Sequence, residues 1–206
     1  MKTIQLATRE EARAILGRDF HGPEKNIDSG WIIPWTKEIL EKAKGNYILI
    51  YGRELDDRGE KMTINWFRKK FPEGSKPGFM RQYGEPINHF PFSKDFTCEE
   101  RYYLLPKKIP LQHPSRNAKP IKLKMADIGD YEQIEPAIVY IFATFLHYSA
   151  TKEILYPYDY VLTTDKVGES VVRVGHFKYK DIYVGLAQPG MIYNMLGVAP
   201  SIKPLI

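Results

Sequence analysis

Between Pro136 and Leu155 the chain reads PAIVYIFATFLHYSATKEIL. Apolar residues fall all the way round the axis of any helix drawn through this stretch, which predicts a helix buried on most of its sides. Pro136 suits the first turn, where a missing N–H costs nothing. The unbroken apolar run, Ala137 to Leu146, is about ten residues, half the roughly twenty that a membrane span requires. The chain is therefore expected to wrap other elements around this helix.

The segments that follow supply a wrapping. DYVLTT, SVVRVGHF and DIYVGLA are short and rich in β-branched residues, and DKVGE and KYK stand between them as hairpin connections. Gly168 is available for the positive φ of a tight turn. The reading is an α+β chain, residues 1–206 as a single domain, with a C-terminal antiparallel β-meander packed on the buried helix.

Upstream the signals alternate. Thr8 followed by Glu11 forms a capping box, Ala12, Ile15 and Leu16 form an apolar stripe, and Gly17 is a left-handed stop. Thr36 opens a second helix that ends at Gly45 and feeds the strand NYILIYG. Thr63 caps INWFRKKF, with Ile64, Phe67 and Phe71 at helical spacing and Pro72 as terminator. RYYLLPKKI is a strand ended by proline. RDFHGPEKNIDSGWIIPW reads as irregular, and residues 72–100 read as a long loop with docked aromatics.

Several chemistries are excluded by pattern. No GxxxxGK[ST], GxGxxG or GxSxG occurs, no two histidines are spaced i, i+4, and no acid stands two residues before a lysine. The single cysteine, Cys98, makes an internal disulfide impossible, and a reducing, cytoplasmic setting is expected. Flanked by Glu99 and Glu100, its thiol pKa is expected to rise, which argues against a nucleophile. No secretory signal or membrane segment is read, and no cofactor or metal is expected.

Charge collects in the middle. Residues 61–124 carry fourteen Lys/Arg against five Asp/Glu, a local +9, while residues 1–60 and 125–206 stand at −1 and −3. Arg68, Lys69, Lys70, Lys107, Lys108, Lys122 and Lys124, with Tyr102 and Tyr103 interleaved, are the candidate contacts for phosphate or an acidic partner. Arg68, Lys69 and Lys70 also suit the negative end of their own helix dipole, so part of the charge has a structural explanation.

His176 and Asp181 are the weak catalytic candidates. His176 shares a strand face with Val172 and Val174, and Asp181 opens the next strand, where it can stand opposite His176 as base and orienter, or as a hairpin-end hydrogen bond. Asp165 and Glu169 are placed in the first hairpin connection. The seven residues from Glu169 to His176 cover about 23 Å when extended, too far for a dyad. His147 reads as a buried neutral imidazole bonded to a backbone carbonyl. Asp56, Asp57 and Glu60 read as a solvated turn, with a divalent cation as the costlier alternative.

EARAILGRDFHGPEK, RYYLLPKKIPLQHPSRN and YVLTTDKVGESVVRVGHF together resemble a group of uncharacterised bacterial proteins. The resemblance implies a shared fold and a bacterial or mobile-element origin, and it transfers no catalytic residue. The function expected is a non-catalytic binding module whose basic middle contacts nucleic acid or an acidic protein. The alternative is a hydrolase-type enzyme with a dispersed site around His176 and Asp181, joined by a tyrosine such as Tyr183. A third reading makes Phe79 to Phe96 a docking loop.

Overall fold

A computed structural model describes residues 5–23, 32–79, 87–109, 130, 132–175, 181–191 and 196–205. The expected buried helix is α5 (Ala137–Thr151), and eleven of its fifteen residues are buried. It lies between two mixed sheets, and the rest of the fold follows from the need to cover it.

One sheet has the order β1-β2-β4-β10-β5, from Phe20–His21, Tyr47–Tyr51, Tyr102–Pro106, Ser201–Ile202 and Glu132–Gln133. β2 and β4 are antiparallel neighbours buried on both faces, which is why YILIY and YYLLP are nearly continuous in apolar residues. Ile48, Ile50, Tyr103 and Leu105 face α5. Leu49, Tyr51, Tyr102 and Leu104 face the opposite way, into a second core built with α1 (Arg9–Leu16) and α2 (Lys37–Ala43). α1 carries the complete capping box: Glu11 N–H donates to Thr8 Oγ1 at 3.2 Å, and Thr8 N–H donates to Glu11 Oε2 at 2.9 Å. At its far end Gly17, φ 57°, turns the chain into a single 3-10 turn (Gly17–Asp19) that delivers β1.

The other sheet has the order β3-β8-β7-β6-β9, from Gly78–Phe79, Asp181–Ala187, Ser170–Gly175, Tyr160–Val167 and Leu196–Gly197. β6, β7 and β8 are the expected antiparallel meander, and Val161, Val172, Val174, Ile182 and Val184 pack toward α5. α3 (Ile64–Lys70) closes the core with Phe67 and Phe71, whose rings stack on Phe145. Thr63 caps it as expected, accepting from Trp66 N–H at 3.2 Å.

Three local expectations change. Residues 72–100 are not one long irregular loop: among those described, β3, a 3-10 turn (Ile87–His89) and the short helix α4 (Pro91–Lys94) interrupt it. Pro136 is the N-cap residue of α5 rather than its first helical residue. Asp165 is not in a hairpin connection. β6 runs on to Val167, the loop is only Gly168 and Glu169, and Gly168 has the expected positive φ of 57°.

Asp165 instead sits in a bulge. The β6–β7 register moves from Leu162↔Arg173 to Lys166↔Val171, so Thr163, Thr164 and Asp165 together oppose Val172. Thr163 Oγ1 donates to Val172 O at 3.0 Å and accepts from Asp165 N–H at 3.2 Å. The bend aims the carboxylate at the start of α5, where Asp165 Oδ2 accepts from Ala137 N–H at 2.7 Å. Pro136 has no side-chain oxygen with which to cap, so the cap comes from a neighbouring strand. Burial raises the Asp165 carboxyl pKa, opposed by the hydrogen bonds from Ala137 and Thr163.

Candidate functional site

β1 is only two residues long, yet it fixes a face. It pairs in parallel with β2, Phe20 opposite Leu49 and His21 opposite Ile50. Phe20 belongs to the α1/α2 core, so the strand's alternation turns His21 to the α5 side. There it meets His147 of α5: His21 Nε2 and His147 Nδ1 are 2.9 Å apart, with the rings edge to face. His147 is buried and neutral as expected, but its ring partner is a second histidine and not a backbone carbonyl.

Charged groups flank the pair. His147 Nε2 stands 3.7 Å from Glu153 Oε2, and the other oxygen of Glu153 accepts from Arg18 at 2.5 Å. Asp19, two residues before His21, is buried and binds Lys107 Nζ through Oδ2 at 2.6 Å. Tyr156 holds the end of β4 beside this cluster, donating from its hydroxyl to Pro106 O at 2.5 Å and from its N–H to Lys107 O at 3.4 Å. Asp19 Oδ1 is buried and has no hydrogen-bond partner among the described residues.

These surroundings decide protonation. Burial, then the neighbouring His147, lowers the His21 pKa to about 4 against the pull of Asp19. Burial likewise lowers that of His147. Both rings are neutral near pH 7, so each carries one proton. The Glu153 carboxylate favours that proton on His147 Nε2, which leaves Nδ1 as an acceptor. His21 Nε2 is then the donor, and its Nδ1 keeps a lone pair.

A cleft of about 1120 Å³ opens beside His21, between β1, β2 and α5. That is room for a ligand of nucleotide size. Phe20, Tyr51, Met62, Phe142 and Leu146 give it apolar walls, and Arg13, Arg53 and Asp57 are its charged lining. Arg53 donates to Asp57 at 2.9 Å. Arg13 lies 5.4 Å over the Phe20 ring and has no salt bridge among the described residues. On the sheet face turned toward α1 and α2, the Tyr102 hydroxyl is buried near Gly22 with no hydrogen-bond partner among the described residues.

The residues singled out by sequence are dispersed. Arg68 is half-buried, 5.6 Å over the Phe79 ring, and donates to Asn88 Oδ1. Lys70 lies 5.5 Å over the Trp66 ring. Lys107 is the half-buried partner of buried Asp19, whereas Lys69 and Lys108 are exposed. Lys122, Lys124 and His176 lie outside the described residues. Asp181 opens β8 opposite Gly78, and its carboxyl pKa is raised by burial and then by Glu73. Tyr183 meets Tyr160 edge to face, with Arg173 over both rings. Asp56 Oδ1 accepts from the backbone N–H groups of Arg58 and Glu60 at 2.9 Å, a closed turn. Cys98 is buried, which drives its thiol pKa up. Among the described residues no group of three or more His, Cys, Asp or Glu could hold a metal ion, and no helix is long and apolar enough to cross a membrane.

Comparison with protein-family models, with curated proteins and with solved structures finds no match to this chain. The cleft and its histidine pair therefore stand on geometry alone.

Proposed function

We propose that the protein is a binding module for an anionic ligand with an apolar or aromatic part, held in the cleft beside His21. The observation that carries this reading is the lining: apolar walls and an arginine, Arg13, with no salt bridge among the described residues. A guanidinium fork fits carboxylate or phosphate, and the neighbouring Phe20, Tyr51 and Phe142 suit an aromatic body. Lone, buried Cys98 suits a cytoplasmic setting.

Thermal unfolding with adenosine monophosphate, salicylate and mandelate tests it. A ligand present at a hundredfold its Kd adds about 2.7 kcal/mol to stability. At least one probe is expected to raise the Tm of the wild type and to raise that of Arg13→Glu much less. No shift with any probe, or an equal shift in both proteins, contradicts the reading.

The basic stretch 61–124 supports contact with nucleic acid or an acidic protein through Lys69 and Lys108, because Arg68, Lys70 and Lys107 already have partners. Fluorescence anisotropy with short labelled DNA and RNA separates the two surfaces. Binding that falls steeply with salt and vanishes in a Lys69→Glu/Lys108→Glu double variant would move the contact from the cleft to this stretch.

A further inference from the structure

We propose that His21 is the fixed hydrogen-bond acceptor of the cleft, so that the ligand carries a hydroxyl or N–H donor beside its anionic group. This rests on the cleft being a ligand site, and it narrows the class of ligand to hydroxy acids, phenolic acids and sugar phosphates.

His21 Nε2 is taken up by His147 Nδ1 at 2.9 Å, so only Nδ1 of His21 is left to serve the cleft it lines. No described residue hydrogen-bonds that nitrogen. Whether it offers a proton or a lone pair is set two residues away along the chain of contacts. Glu153, 3.7 Å from His147 Nε2 and so outside hydrogen-bond reach, biases the His147 proton to that side through its charge. His147 Nδ1 must then accept, His21 Nε2 must donate, and His21 Nδ1 is left with its lone pair. Arg18 fixes the carboxylate that starts this sequence, at 2.5 Å from the other oxygen of Glu153. Glu153 is accordingly a positioning residue that acts through His147.

The same surroundings favour reading over reaction. An efficient general base has a pKa close to the working pH. The His21 imidazole is held near 4, far below that range, so it accepts a hydrogen bond without taking the proton. A ligand lacking the donor would leave this nitrogen dehydrated and unpaired, a loss of roughly tenfold or more in affinity.

Two measurements test the proposal. A long-range proton–nitrogen NMR spectrum of the free protein near pH 7 is expected to show His21 with its proton on Nε2 and a bare Nδ1. Titration then compares matched probes, mandelate and salicylate against their methyl ethers. The member with the donor is expected to bind roughly tenfold more tightly. The gap should close in His21→Phe and shrink in Glu153→Ala, which removes a half-buried carboxylate that belongs to no core cluster. A proton on His21 Nδ1 overturns the proposal, as does equal binding within every pair or a gap that survives in both variants. If no probe of either kind binds, the ligand reading of the cleft fails and the proposal with it; if both members bind equally, the cleft reading stands and this inference alone is lost.

Discussion

α5 has a buried polar cluster at each end, and the two are built differently. At the N-terminal end, Asp165 caps Ala137. Beside it, buried Glu135 accepts from Ser201 Oγ at 2.5 Å, Gln133 Nε2 at 2.6 Å and Arg101 at 3.0 Å. Its backbone is also engaged, donating to the Tyr140 hydroxyl and accepting from Thr164 N–H. Toward the C-terminal end, the Asp19–His21–Lys107–His147 cluster keeps capacity in reserve: one oxygen of Asp19 and one nitrogen of His21. Buried polar groups are normally satisfied, so a group left open beside a cleft invites a ligand where a closed network only fixes structure. The contrast separates a structural polar core from a functional one on a single helix.

Substitutions sharpen that contrast, the largest first. Lys107→Met strands the Asp19 carboxylate in the core and should cost about 3 kcal/mol in chemical denaturation. Lys108→Met, one residue on and exposed, should change stability by less than about 0.5 kcal/mol. Equal effects at the two lysines would mean that the Asp19–Lys107 pair contributes nothing.

At the other end, Asp165→Ala orphans the Ala137 N–H and should cost about 1–2 kcal/mol. Asp165→Asn keeps an acceptor oxygen and removes a buried charge, so its urea midpoint should lie close to the wild type. A large loss in the Asn variant would show that the charge, through the helix dipole, outweighs its desolvation.

Acid should separate the ends by sign. The folded state holds His21 near 4, below the ordinary 6.5, so it favours the neutral ring. That contribution is whole above pH about 6.5 and is lost as pH falls toward 4, because the unfolded chain takes up the proton first. Asp165 acts oppositely: with its folded pKa raised above 3.8, stability falls as pH rises through the window between the two values. Denaturation measured across this range should show a shallower acid loss in His21→Phe than in the wild type. An unchanged slope would mean that the imidazole is not held neutral.

Much of the architecture was legible because its signals are local. Thr8 and Glu11 announce α1 within four residues, Thr63 announces α3, and a helix apolar all round can only be a core helix. The continuous apolar runs of β2 and β4 follow from burial on both faces. The polar clusters were not legible because they are made by register and by distance in sequence. Asp165 looks like a turn residue until a bulge re-aims it at a helix 28 positions upstream. Lys107 looks like a surface cation until the turn after α1 brings Asp19 to it. His21 and His147 are 126 positions apart, and a two-residue strand is too short to show any periodicity. The one clue in RDFHG was an acid and a histidine flanking a phenylalanine, which marks alternation across a strand only once the strand is known.

The most direct test is an amide chemical-shift map of the protein during titration with adenosine monophosphate, salicylate and mandelate. Resonances of Gly22, Tyr51 and Leu146 should move with a binding probe, while those of Ala137 and Thr164, at the closed end of α5, stay in place. Shifts gathered at Ala137 and Thr164, or at Lys69 and Lys108, would contradict the assignment of function to the open cluster.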